Sequence, residues 1–269
     1  MAITALHAAA TGMKAQDTKL DVLANNLANV NTVGYKRSRV NFEDLLYQIK
    51  REPGVLNDQA EPIPHGIQVG VGVGISGTQL DFTQGSVDRT EQPLDLLIDG
   101  EGFFQVRAIQ DGSEIIAYTR NGNFTRNSEG NLVLANSEGS ILDPPISVPQ
   151  DTIRISIGNN GEVNVLQQGS ENLTIVGQLQ LARFVNPEGL KQIGQNLFQE
   201  TDSSGPPLQG QPQQDGLGSI QQGVLEMSNV DPVRELIQLI LTQRAFELNS
   251  QTIQSADQSL QVVANLRRF

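Results

Sequence analysis

Leu6, Met13, Leu20 and Leu27 recur every seven residues, and Ala9, Leu23 and Val30 follow three positions behind, with Gln16 interrupting the second track. An apolar seam on one face, with polar and charged positions elsewhere, predicts an amphipathic helix over the first thirty residues. Gly34 is the expected stop, since glycine takes the left-handed cap without steric cost. Such a helix reaches roughly 40 Å at ~1.5 Å per residue. The last forty residues predict a second helix. Asp231 can accept from first-turn amides, Pro232 suits the first helical position, and no Gly or further Pro follows. Two apolar tracks run through it: Leu239, Phe246, Ile253 and Leu260, and Leu241, Leu248, Val262 and Phe269, with Ser255 as a gap. Positions two apart lie ~200° around a helix, so the tracks occupy opposite faces and need two partners. One partner can be the N-terminal helix; the other is the body of the protein or another subunit.

Between the helices the period drops to two and turn residues multiply. Leu94–Ile98, Asp99-Gly-Glu-Gly102 and Phe103–Val106 read as strand, turn, strand, and Ile115–Arg120, Asn121-Gly122 and Asn123–Arg126 repeat the pattern around a strong hairpin dipeptide. Asn127-Ser-Glu-Gly130 leads into 131–135, Thr152–Ile157 and Glu162–Leu166 flank Gly158-Asn-Asn-Gly161, and Leu173–Val185 reads as one longer strand. The expected fold class is α+β: long N- and C-terminal helices pairing as a coiled-coil-like bundle, with an inserted antiparallel all-β domain. The expected division is a helical core from 1–35 and 225–269, extended connections at 36–84 and 201–224, and an all-β domain at 85–200. The connections follow from three prolines in 50–66 and three more in 201–218.

Charge sharpens this division. The chain of 269 residues carries 18 Lys+Arg against 30 Asp+Glu, a formal net charge of −12. Residues 1–40 hold five basic and two acidic residues (+3) and 231–269 hold four of each (0), which leaves −15 for the middle. Ends of low charge and an acidic, solvated middle suit ends that associate while the middle faces water. The acidity also argues against nucleic acid as a partner.

The inventory of reactive groups is thin. There is no Cys and there are two histidines, His7 and His65, without ligand spacing. Gly72-Val-Gly-Ile-Ser-Gly77 matches G-x-G-x-x-G, but an alternating stretch follows instead of a helix, so it reads as a Gly-punctuated strand. Asp99 and Glu101 could pair for glycoside hydrolysis, yet carboxylates beside Gly at a turn are ordinary turn formers. Residues 121–130 lack the calcium-loop order. We expect no enzyme, cofactor, metal or small-molecule substrate. No stretch reaches the ~18 apolar residues of a membrane span, and no basic residue precedes the N-terminal alanines, so a cleaved signal peptide is not expected.

The segment Ala24-Asn-Asn-Leu-Ala-Asn-Val-Asn-Thr-Val-Gly-Tyr-Lys36 places asparagines at 25, 26, 29 and 31, each a few tenths of a kcal/mol poorer than Ala in a helix. It is either a fraying helix end or a set of amides that bind backbones in an assembly. Here the chain resembles the axial proteins of the bacterial flagellum, the rod, hook and hook-associated subunits. LDLLIDGEGFFQV (94–106) and AYTRNGNFTRNSEGNLV (117–133) are similar to the inner β domain of that family, and 224–260 is similar to its C-terminal helix. Residues 43–64 resemble an extended segment of distal rod members.

The resemblance implies a structural subunit of the distal rod: a rigid helical tube that transmits torque from motor to hook and encloses the export channel. It implies as partners further copies of the chain, other rod subunits, the hook subunit, basal-body ring proteins and the flagellar export apparatus. The implied location is the basal body, spanning the periplasm after export with an uncleaved N-terminus. The expected assembly residues are Leu6, Met13, Leu20, Leu27, Asn25, Asn26, Asn29, Gly34, Leu239, Phe246, Ile253, Leu260, Leu241, Leu248 and Val262. Tyr47, Arg51, Pro53, Pro62 and Pro64 mark the rod-type arm. The competing readings are a proximal rod or hook subunit of the same family, a secreted β-rich adhesin or coat protein, and a carbohydrate-active enzyme.

Overall fold

The computed structural model describes residues 2–54, 64–110, 112–169 and 172–266. They fall into two compact units: unit 1 contains Met1–Ala28, Ser38–Gln79 and Asp231–Phe269, and unit 2 contains Asn29–Arg37 and Leu80–Val230. The architecture is α+β, with two long helices and many short antiparallel strands.

In unit 1, helix α1 (Ala2–Ala28) stops six residues before Gly34. The asparagines account for the early stop. The Asn29 carbonyl accepts from the Thr32 amide at 3.1 Å, and its side-chain oxygen accepts from the Thr32 hydroxyl at 3.1 Å, so a turn replaces the next helical turn. Four strands follow: β1 (Ser38–Asp44), β2 (Tyr47–Arg51), β3 (Ile67–Gly70) and β4 (Val73–Leu80). β1 pairs with β4, and β2 pairs antiparallel with β3. The GVGISG stretch thus enters strand β4 at Val73, as its reading as a Gly-punctuated strand expects. Its first glycine sits at φ +138°, where a Cβ would overlap Thr11 Oγ1 on α1.

Helix α2 (Pro232–Leu266) closes unit 1. Asp231 caps it: one carboxylate oxygen accepts from the Val233 and Arg234 amides at 3.0 and 3.2 Å. The helices pack side by side. Asn26 meets Glu235, Lys19 meets Gln238, and Gly12 lies against Asn249. The numbers in each pair add to between 257 and 261, so the helices run antiparallel.

Unit 2 is a β fold. Its strands are β5 (Val87–Arg89), β6 (Leu96–Asp99), β7 (Phe103–Gln110), β8 (Ser113–Thr119), β9 (Phe124–Arg126), β10 (Leu132–Leu134), β11 (Ile141–Leu142), β12 (Thr152–Ile157), β13 (Glu162–Gln167), β14 (Thr174–Gln178) and β15 (Leu181–Arg183). After a short 3-10 turn come β16 (Lys191–Gly194), β17 (Leu197–Gln199), β18 (Leu208–Gly210), β19 (Ser219–Gln222) and β20 (Val224–Glu226). The main sheet runs β16-β17-β8-β7-β11-β10-β9, with β15 joining β7 to β18, and β12-β13-β14 form a second sheet. The first half of β7, Phe103–Val106, is buried on both faces, whereas Arg107 and Ile109 are exposed. Phe104, Val106 and Ala108 enter the main core, while Phe103 enters a second cluster with Tyr118, Phe184 and Phe198. The rings of that cluster meet edge to face, 4.8 Å apart for Tyr118 and Phe184.

Several local expectations change. β6 and β7 are consecutive strands but not a hairpin: β6 pairs with β19 and β7 with β8. β8 and β9 do not pair either, despite Asn121-Gly122 between them. Gly122 is needed for a crossing, because a Cβ there would overlap the Leu96 carbonyl, whose own amide donates to Gly122 O at 2.9 Å. The strand expected at 173–185 is two, β14 and β15, in different sheets. Residues 201–224, expected as a connection, carry β18 and β19 and enter β20, each paired within unit 2. The GNNG hairpin of β12 and β13 and the NSEG hairpin of β9 and β10 form where their turns predict.

Candidate functional site

Two features stand out, one in each unit. In unit 1, the α1 seam residues Leu6, Met13, Leu20 and Leu27 are all half-buried, and Ala9, Ala15 and Leu23 are buried. On α2, Leu239, Phe246 and Ile253 are half-buried, whereas Leu260 is exposed. Leu6 with Ile253, Met13 with Phe246, and Leu20 with Leu239 each add to 259, inside the register set by the polar pairs. The second α2 track stays in water. Leu241 is 56%, Leu248 62% and Val262 59% exposed, and Val233, Ile237 and Ile240 extend the exposed surface toward the N-terminal end. Phe269 lies outside the described residues.

The asparagines divide. Asn25 is exposed, while Asn26 is fully buried and bonded within its own chain. Its side chain accepts from the Ser38 amide at 3.0 Å and donates to the Ser38 carbonyl at 2.8 Å and to Glu235 at 3.3 Å. Buried Glu235 thereby receives a partner across the two helices. Asn29 is half-buried in the turn after α1.

The expected arm begins as the β2–β3 ribbon. Every residue of β2 is exposed, with Tyr47 at 53% and Ile49 at 56%, beside Leu46 at 86%. Arg51 is exposed and donates to the His65 carbonyl at 3.3 Å. Pro53 and Pro64 are exposed, and Pro62 lies outside the described residues. The root of the ribbon is seated on α1: His7 Nδ1 donates to the Val71 carbonyl at 2.9 Å, and Thr11 Oγ1 accepts from the Val73 amide at 3.4 Å. His7, which lacks ligand spacing to His65, thus has a structural contact at the root of the ribbon.

In unit 2, three charged side chains meet in the interior. Lys36 Nζ lies 2.5 Å from Glu226 Oε1, and Arg120 Nη1 lies 3.5 Å from Glu226 Oε2, with side-chain exposures of 0%, 1% and 5% for Lys36, Glu226 and Arg120. The remaining polar valences are largely filled. Lys36 donates to Thr83 O at 2.7 Å, Gly85 N donates to Glu226 Oε1 at 3.0 Å, and Arg120 Nη2 donates to Gly100 O at 2.8 Å. Arg120 also stacks over Phe103, 5.4 Å from the ring centre. Burial pushes both the Lys36 ammonium and the Arg120 guanidinium below their usual values, and the Glu226 carboxylate opposes that in each case. Gly34 closes this junction. It has φ +70°, its amide donates to Glu226 O at 2.8 Å, and a Cβ would lie 2.6 Å from the Asn121 amide nitrogen. Its left-handed conformation thus serves a close backbone approach and not the helix cap.

Sequence reading missed this cluster because its members lie up to 190 residues apart and no spacing rule joins them. The available signal was that Tyr-Lys36, Thr-Arg120 and Leu-Glu226 each place a charge beside an apolar or β-forming stretch.

Among the described residues no group of three or more His, Asp or Glu could hold a metal ion. Glu101 pairs with Arg183 at 3.1 Å at the surface, and Asp99 accepts from Gln221 at 3.0 Å. No helix among the described residues is long and apolar enough to cross a membrane.

Residues 6–36 match the family described as flagella basal body rod protein, 97–165 the flagellar hook protein FlgE/F/G D1 domain, and 221–266 the flagellar basal body rod FlgEFG protein C-terminal region. Together these matches define a flagellar protein of the hook-and-rod class. The flagellar basal-body rod protein FlgG of Agrobacterium fabrum is 44% identical over 97% of this chain and 98% of its own length. FlgG of Caulobacter vibrioides is 43% identical over 98% and 99%, whereas FlgF of the same organism is 35% identical over 85% and 83%. The chain belongs to the flagellar basal-body rod proteins, and its function is that of a structural rod subunit. Lys36, Arg120 and Glu226 fall one in each of the three matched regions.

Proposed function

We propose that this chain is the distal rod subunit, polymerising through its terminal helices into a rigid tube that carries torque from the motor to the hook and surrounds the export channel. The observation that carries the reading is the α2 track of Leu241, Leu248 and Val262, exposed in a single chain. Helix α1 covers one face of α2 in a coiled-coil-like pairing of Leu6, Met13 and Leu20 with Ile253, Phe246 and Leu239, Leu260 lies beyond the end of that overlap, and neighbouring copies cover the other face. Burying each Leu or Val of that track is worth roughly 1.5–3 kcal/mol, repeated at every subunit. The preference for FlgG-type over FlgF-type relatives in coverage and identity supports the distal position.

The ribbon and residues 43–64 add contacts between neighbouring copies and straighten the shaft. Its exposed Leu46, Tyr47 and Ile49 supply apolar area for them. The partners are further copies, the other rod subunits, the hook subunit and the basal-body rings. The chain reaches the periplasm through the flagellar export apparatus with its N-terminus uncleaved. No catalytic step and no cofactor enters this function.

Deleting the gene and imaging isolated basal bodies tests the reading. The expected result is a shaft that stops short of the outer membrane with no hook. A complete rod lacking only a hook reassigns the chain to the hook class, and unchanged flagella overturn the role altogether. Deleting 47–64 is expected to leave a folded subunit that builds a softer or curved rod; straight, functional rods would refute the assignment of the arm.

A further inference from the structure

We propose that unit 2 carries a carboxylate socket, built by Arg183 above the buried Arg120, and that in the assembled rod it takes an Asp or Glu side chain of a neighbouring copy. The socket is a cavity of about 240 Å³ whose apolar walls include Phe82, Phe184 and Val185 and whose charged lining is Glu101, Arg120 and Arg183. Arg120 is engaged from below. Its Nη1 donates to Ile98 O at 3.3 Å and faces Glu226, its Nη2 donates to Gly100 O, and its buried Nε has no partner. Glu226 is shared with Lys36, so it neutralises only one of the two cations. Glu101 is the other carboxylate that acts on Arg120, but it is 72% exposed and held by Arg183 Nε at 3.1 Å. Two guanidiniums thus face one carboxylate across the cavity, over an interior where unbalanced charge is costly. Arg183 has capacity to spare. It is 40% exposed, its Nη1 donates to Asp215 O at 3.3 Å, and its Nη2 has no partner among the described residues.

Charge identifies the occupant. Unit 2 holds nine Lys and Arg against nineteen Asp and Glu, a net −10, so copies brought side by side repel one another. A close contact between two such surfaces has to set an acid of one copy against a cation of the next, and Arg183 offers that cation at the mouth of a cavity. A guanidinium holds a carboxylate by directed, charge-assisted hydrogen bonds. The apolar walls, with Val185 80% exposed at the rim, suit the methylene stem of an acidic side chain and keep water from the pair. A small inorganic anion would satisfy Arg183 but leave those walls uncovered. Socket and occupant lie on different patches of the same chain, so the contact is head to tail and repeats along a helical polymer instead of closing on itself.

The proposal rests on the reading that the chain polymerises, and tubes of the full-length Arg183→Lys subunit separate the two. A carbodiimide condenses an amine with a carboxylate in direct contact with it. In the dimer band of treated tubes, position 183 is expected to be joined to an Asp or Glu peptide, and that product is expected to be absent from the monomer band. Position 183 joined only to Glu101 in the monomer band, or dimers linked only through other lysines, overturns the socket and leaves the rod reading standing. A wild-type chain that forms no tubes overturns the rod reading, and the socket with it. Two further variants are expected to move in opposite directions. Arg183→Gln should raise the subunit concentration needed for tube formation by about tenfold, the scale of one charge-assisted contact. Glu101→Gln, which releases Arg183 to the neighbouring copy, should lower it. Both positions are at the surface, so the urea midpoint of unit 2 should stay at its wild-type value in each. An unchanged concentration for Arg183→Gln, or a rise for Glu101→Gln, overturns the socket.

Discussion

Removing Glu226 and removing Lys36 should have very different costs, although the two face each other in the same buried pair. The cluster holds two cations and one carboxylate. Glu226→Ala leaves Lys36 and Arg120 as uncompensated charges, with Lys36 at 0% and Arg120 at 5% side-chain exposure, and strips the Gly85 amide of its acceptor. Breaking a buried ion pair from one side costs ~3–5 kcal/mol. Lys36→Met leaves Glu226 facing Arg120, so the remaining charges balance, and Thr83 O keeps a donor in Asn229 at 3.1 Å. That change should cost less than ~2 kcal/mol, the scale of a lost hydrogen bond to a charged group partly offset by a buried apolar side chain. Urea unfolding followed by near-ultraviolet circular dichroism of the Tyr118 and Phe cluster reads both. With a slope of ~2 kcal/mol per molar urea, Glu226→Ala should lower the midpoint by ~1.5–2.5 M and Lys36→Met by less than ~1 M. Equal shifts, or a larger one for Lys36→Met, would refute the claim that unbalanced charge governs this junction.

Burial, aided by the Glu200 carboxylate, pushes the Tyr118 hydroxyl up to about 12. A raised acid favours its neutral form in the fold, so this stability is complete below pH ~10 and is lost between ~10 and ~12, up to about 2–3 kcal/mol. Tyr118→Phe should therefore flatten the alkaline fall in urea midpoint, whereas an unchanged pH profile would exclude Tyr118 as its source. Gly72→Ala forces a side chain into Thr11 at φ +138° and should cost unit 1 ~2–4 kcal/mol. Faster tryptic cleavage at Arg51 would report the released ribbon; wild-type cleavage kinetics would contradict the seating of that ribbon on α1.

The helices were legible in the sequence because their information is local. A seven-residue seam, an Asp-Pro start and the absence of glycine are enough to place α2, and Asp231 caps it as expected. Gly34 was recognised as left-handed but for the wrong reason, since the demand on it comes from the Asn121 backbone some ninety positions away. The same limit explains Asn121-Gly122, where the glycine answers to Leu96 across a chain crossing and not to a hairpin. Residues 201–224 read as linkers because Gln, Gly and Pro carry little strand propensity, yet Gln209 and Gln221 bond to Gln105 and Asp99 and the tract completes unit 2. On α2 the opposite-face tracks were readable from spacing, whereas which track meets α1 required the register fixed by Asn26, Lys19 and Gly12.

The exposed track of α2 is where the account is most directly tested. Leu241→Glu with Leu248→Glu changes two side chains that are 56% and 62% exposed in the single chain, so the monomer should keep its helical content and its urea midpoint. Polymerisation of the purified subunit, followed by light scattering and electron microscopy, should be abolished by the pair of substitutions while the wild-type chain forms tubes. Tubes of wild-type length from the doubly charged variant would contradict assembly through this face.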